Sequence, residues 1–84
     1  MVKILYFAWV RDAVGTSEEH VDIPHAVTTV GALATFLAQR SDGHAQVFAD
    51  LTRLRAAVDL TMVYFDASIV GAREIAFFPP VTGG

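Results

Sequence analysis

No cysteine occurs among the 84 residues, which excludes disulfides, thiolate metal sites and an internal cysteine nucleophile. Any sulfur chemistry involving this chain must be carried on something other than a side-chain thiol. Basic residues are few: six Lys and Arg stand against nine Asp and Glu, a formal balance of −3, with no basic run. That argues against a nucleic-acid surface. Long apolar runs are also missing. The longest, Ile4 to Val10, is far short of the roughly 20 residues a membrane span requires. The start, MVKILYF, lacks a signal-peptide cleavage pattern, so a cytoplasmic protein with no membrane partner is expected. The three histidines, His20, His25 and His44, fall on different expected elements without ligand spacing, and no metal site is expected. Gly15, Gly31, Gly43 and Gly71 form no phosphate loop, so any nucleotide must be held by a partner.

What is abundant is apolar surface. At 54% hydrophobic, one small domain cannot hide all of it, which implies an exposed binding patch and life in a complex. Val2 to Trp9 reads as a strand buried on both faces. Val14-Gly15-Thr16-Ser17 supplies a turn into Glu18 to Ile23, which alternates as a half-exposed strand should. Pro24 ends that hairpin. Thr28 or Thr29 then caps a helix with Val30, Leu33, Ala34, Leu37 and Ala38 on one face. Ser41-Asp42-Gly43 stops it, with Gly43 in a left-handed C-terminal position, and a shorter helical piece follows over Ala45 to Asp50. Strands are expected at Leu54 to Asp59, Met62 to Phe65 and Arg73 to Phe78, with Gly71 in the turn before the last. The order is ββαβββ, an α+β domain with a mixed sheet packed against one main helix. Its strongly apolar first and last strands lie side by side and parallel.

The chain closes on FFPPVTGG, Phe77 to Gly84. Proline has no N–H to continue a ladder, so pairing is expected to stop near Pro79. Phe78 and Pro79 are driven to extended conformations by the prolines that follow. The expected organisation is a domain over residues 1–79 and a projecting tail over 80–84. From Pro80 to Gly84 an extended chain spans roughly 13 Å, enough to carry a terminal carbonyl into another protein. Gly83 and Gly84 keep that end thin enough for a narrow channel.

The segments KILYFAWVRDAVGT (Lys3 to Thr16), RAAVDLTMVYF (Arg55 to Phe65) and REIAFFPPVTGG (Arg73 to Gly84) resemble the small, sulfur-carrying subunits of molybdopterin synthase, a family with the ubiquitin-like β-grasp fold. The resemblance implies that an E1-like adenylyltransferase activates Gly84 with ATP as a glycyl adenylate. Sulfur then replaces the adenylate to give a thiocarboxylate. The synthase large subunit, in a heterotetramer of two small and two large subunits, takes up the tail and passes the sulfur to cyclic pyranopterin monophosphate. The chemistry suits the composition. A carboxylate is a poor electrophile, an acyl-adenylate has a good leaving group, and a thiocarboxylate sulfur is nucleophilic. Catalytic side chains are expected on the large subunit, and this chain alone is expected to bind no cofactor.

The same resemblance implies a partner-binding set of Phe7, Met62 and Phe78, with Arg11 as a polar neighbour and with Pro79, Pro80, Val81 and Thr82 leading to Gly83 and Gly84. Ordinary core packing is the competing reading for the strand aromatics, and a solvated turn pair with Asp12 is the competing reading for Arg11. Trp9 and Tyr64 could stack a ligand or simply pack in strands. The chain departs from the family at Asp59, where asparagine is usual, and at Ala72-Arg73, which replaces a more acidic turn. Within the fold, a thiamine-pathway sulfur carrier and a ubiquitin-like modifier of lysines are alternatives, and an interaction domain with an inert tail is a third.

Overall fold

The computed structural model describes residues 1–80. Its elements are β1 (Val2–Tyr6), α1 (Ala8–Val14), β2 (Glu18–Val21), α2 (Val30–Leu37), α3 (Asp42–Val47), a 3-10 turn (Leu51–Arg53), β3 (Arg55–Val58), β4 (Thr61–Val63) and β5 (Glu74–Phe78). The strands form one sheet in the order β2-β1-β5-β3-β4. As the sequence implies, β1 and β5 run parallel near its centre, with Ile4 opposite Ile75 and Tyr6 opposite Phe77. The other pairs are antiparallel. Among the described residues no helix is long and apolar enough to cross a membrane.

The first strand is shorter than its apolar run suggests. It ends at Tyr6, Phe7 remains extended as the cap of α1, and Ala8 turns the chain with φ +54°. An unbroken apolar run does not by itself separate a buried strand from a buried helix. Here its second half becomes α1, which buries Val10. Gly15, at φ +95°, closes that helix with its N–H on the Arg11 carbonyl, a left-handed position that glycine adopts without steric cost.

Thr29 caps α2, accepting a hydrogen bond from the Ala32 N–H at 3.1 Å. Val30, Leu33, Ala34 and Leu37 form the buried stripe. Gly43 does not terminate α2. It lies inside α3, a helix that begins three residues earlier than the expected Ala45 and is capped by Ser41. A Cβ at Gly43 would collide with the Ala13 carbonyl oxygen, so this glycine permits the close approach of α1 and α3. Strands β2, β3 and β5 fall within the expected segments, whereas β4 starts one residue before the expected Met62 and stops at Val63, two short of Phe65.

Sheet residues alternate between two faces. Ile4, Tyr6, Ala56, Ile75 and Phe77 face the helices and are fully or almost fully buried with Leu33, Leu37 and Leu54. Phe48 packs edge-on against Phe77 with centroids 4.9 Å apart. One polar group enters this layer. His44 is 5% exposed; its Nε2 lies 2.8 Å from Glu19 Oε2 and its Nδ1 2.7 Å from Ser41 Oγ. The Tyr6 hydroxyl donates to the same Glu19 oxygen at 2.6 Å, and Arg40 pairs with the other at 3.4 Å. Burial of the phenol, followed by its contact with Glu19, pushes the Tyr6 pKa well up. Burial works to raise the Glu19 pKa as well, but hydrogen bonds from His44 and Tyr6 and the charges of His44 and Arg40 outweigh it. Its carboxyl is therefore held below the ordinary value.

Candidate functional site

The helices cover one face of the sheet. The residues of the opposite face follow from the register. At one end His20 faces Lys3 and Lys3 faces Glu74, a charged row in which Lys3 also approaches Glu18 at 3.9 Å. The next outward row runs Glu18, Leu5, Ala76, Ala57, Met62 across all five strands. It is apolar apart from Glu18, with two alanines at its centre. The last row pairs Phe78 with Arg55. Phe7 joins its far side, since the Phe7 N–H donates to the Phe77 carbonyl at 3.2 Å and Phe7 alternates with the inward Tyr6. The open face thus grades from charged, through small and apolar, to aromatic. β5 leads into Pro79 and Pro80 at the aromatic end, and both prolines are half-buried.

Phe7, Met62 and Phe78 are therefore brought onto one side of the sheet. Core packing does not account for Phe7 or Met62, which are 47% and 63% exposed. Phe78 is half-buried at the root of the tail. Arg11 stands on the solvent side of α1, one turn beyond Phe7, and its Nε lies 3.5 Å from Asp12 Oδ1, the contact of a solvated pair. Val81, Thr82, Gly83 and Gly84 lie outside the described residues. The apolar and aromatic rows of this face also hold Leu5, Ala57, Ala76 and Arg55, which sequence reasoning had not singled out. Strict period-two alternation from Phe78 and Met62 would have found them, once the partner strands were known.

Trp9 does not pack in a strand: it lies in α1, where the Arg53 guanidinium sits 4.5 Å over its ring, a cation–π contact. Tyr64 is 86% exposed and is not packed in the sheet. Among the described residues no three His, Asp or Glu side chains converge as metal ligands.

Asp59 and Leu60 form a two-residue connection between β3 and β4, with φ +47° and +71°, the type I′ geometry that matches hairpin twist. Asp59 Oδ1 accepts hydrogen bonds from the backbone N–H groups of Arg73 and Glu74, both at 3.0 Å. An asparagine carbonyl would accept the same pair, so the departure at Asp59 preserves the turn and joins it to the start of β5.

A mixed sheet with this strand order, a parallel β1–β5 pair and helices on one side defines the ubiquitin-like β-grasp class. The crystal structure of SAMP1 from Haloferax volcanii shares the fold, with a TM-score of 0.75, 23% identity and coverage of 99% of this chain and 98% of that one. A solved structure from Pyrococcus furiosus, assigned to subunit 1 of a molybdopterin converting factor, aligns with a TM-score of 0.73 and 25% identity over 95% and 97% of the two chains. The ThiS family model matches residues 4–84. The molybdopterin synthase sulfur carrier subunit of Escherichia coli (strain K12) is 46% identical over the whole of both chains. That of Haemophilus influenzae is 32% identical, again over the whole of both. The chain belongs to the ThiS family, among its molybdopterin synthase sulfur carrier subunits.

Proposed function

We propose that Gly84 is the working group of this protein. An E1-like adenylyltransferase uses ATP to form a glycyl adenylate on its carboxylate, and sulfur displaces the adenylate to leave a thiocarboxylate. The synthase large subunit docks on the open sheet face, contacting Phe7, Met62 and Phe78 with Arg11 at the margin. It takes up Pro79, Pro80, Val81, Thr82 and Gly83 as an extended tail, and the thiocarboxylate sulfur is transferred to cyclic pyranopterin monophosphate. Two small and two large subunits form the assembly. Residues 1–79 act as the docking domain and 80–84 as the arm.

The observation that carries this reading is the position of Phe78-Pro79-Pro80. The last strand hands the chain to its terminal residues at the aromatic end of an uncovered face, where one partner can bind the domain and receive the tail. Nothing in the chain need supply acid or base, since the leaving group is created by adenylation and the nucleophile is the sulfur itself. Intact-mass analysis tests it. With ATP, a sulfur donor and the adenylyltransferase, the protein is expected to gain the mass difference between sulfur and oxygen, and to lose it on incubation with the large subunit and cyclic pyranopterin monophosphate. A mass that never changes in the first step would overturn the carrier reading.

A further inference from the structure

The two edges of the sheet are built differently. Edge strands offer unpaired backbone groups to any passing strand, and proteins guard them with charge, proline or bulges. The β2 edge is guarded: it reads Glu18-Glu19-His20-Val21. The β4 edge is not. From Leu60 to Phe65 the sequence LTMVYF contains no charged residue, proline or glycine.

The register fixes which backbone groups that edge presents. Val58 faces Thr61 across the two-residue turn and Ala56 faces Val63, so these are the hydrogen-bonded pairs. The Asp59 N–H points the other way, to the Glu74 carbonyl at 2.8 Å, which agrees with that phase. Ala57 and Met62 form the non-hydrogen-bonded pair between them, so the N–H and C=O of Met62 point away from the sheet. Among the described residues no strand pairs with that side. Leu60, Met62 and Tyr64, at alternate positions along this edge, are 89%, 63% and 86% exposed. An apolar groove of about 540 Å³, lined in part by Leu51, Leu54, Val63 and Phe65, runs beside them.

We propose that the outer edge of β4 is a strand-addition site. An extended segment of the large-subunit partner, uncharged where it faces Met62, hydrogen-bonds to the Met62 backbone and lays alternate side chains into the neighbouring groove. This rests on the reading that the large subunit covers the open face. Area favours that occupant over a second copy of this chain. The three exposed side chains offer roughly 500 Å² at most, so two edges paired with each other would bury about 1,000 Å², below what stable complexes usually bury. A partner spanning edge and face has both surfaces, and they are continuous, because Met62 belongs to each.

Amide hydrogen exchange on the full-length protein, alone and with saturating large subunit, tests the site without a mutation. The Met62 amide is expected to exchange freely in the isolated protein and to slow by about 100-fold or more in the complex. Met62→Pro, which removes an outward-facing N–H without breaking a ladder hydrogen bond of this sheet, is expected to weaken large-subunit binding about tenfold more than Met62→Ala, a loss larger than any difference between the two variants in thermal stability accounts for. A Met62 amide that stays fast in a complex still sensitive to Phe78 would overturn strand addition and leave the docking face intact. Protection that appears without the large subunit and grows with protein concentration would give the edge to a second copy and overturn the assignment. Failure of the large subunit to bind at all would overturn both readings.

Discussion

Phe77 and Phe78 are neighbours in β5 that serve opposite faces of the sheet. Phe77 is fully buried against Phe48 and beside Tyr6, whereas Phe78 is half-buried on the open face opposite Arg55. Strand alternation separates a core anchor from the proposed docking residue by one peptide unit.

The pair should therefore separate stability from binding. Phe77→Ala is expected to cost about 3–5 kcal/mol of folding free energy, as large core truncations do. Phe78→Asp is expected to weaken large-subunit binding by about 2 kcal/mol or more with a much smaller change in the melt. Calorimetric titration beside thermal denaturation measures both. A collapsed melting temperature with unchanged affinity would make Phe78 a core residue.

Deleting Gly84, or adding one residue after it, is expected to abolish sulfur transfer while leaving the thermal melt of the domain unchanged. Glycine has no side chain to bury, and a terminal residue contributes little to a domain core. Single-turnover transfer assays and melts on the same preparations check this. A large drop in melting temperature would show that the terminus supports the fold.

Gly43→Ala should loosen the contact between α1 and α3, because the added methyl meets the Ala13 carbonyl oxygen, a backbone atom that cannot rotate aside. Overpacking of this kind costs about 1–3 kcal/mol. Urea denaturation would read the loss. A neutral result would mean that the helices can separate freely there.

Leu60→Gly should act in the opposite direction. A non-glycine residue at φ +71° carries strain of about 1–2 kcal/mol, partly offset by the greater freedom of glycine in the unfolded chain. The expected outcome is a gain of up to about 1 kcal/mol by chemical denaturation.

Acid should weaken the Tyr6–Glu19–His44 network in a defined direction. The Glu19 carboxyl is held below its ordinary value in the folded protein, so the unfolded chain takes up its proton first as pH falls. Its contribution is fully present above the ordinary carboxylate range and is lost as pH drops through the depressed folded value. Thermal melts from pH 7 to pH 3 are expected to show a shallower acid loss for Glu19→Gln than for the parent, from a lower starting point.

The strands, the capped helix at Thr29 and the parallel central pair were legible in the sequence, because each rests on a local signal: alternation, a hydroxyl before an apolar stripe, or a crossover long enough for parallel pairing. The end of β1 was not legible. Seven consecutive apolar residues satisfy strand and helix equally, and only the burial of Val10 in the core from α1 decides between them. Gly43 illustrates the same limit, since a glycine after Ser-Asp reads as a helix stop until another helix is found pressed against it. The sulfur chemistry proposed for Gly84 rests on the last eight residues of the sequence. What only the tertiary structure decided was which side chains share a surface: Leu5, Ala57, Ala76 and Met62 come from four strands, and hydrogen-bond register between distant segments, which no local pattern encodes, sets them in one row.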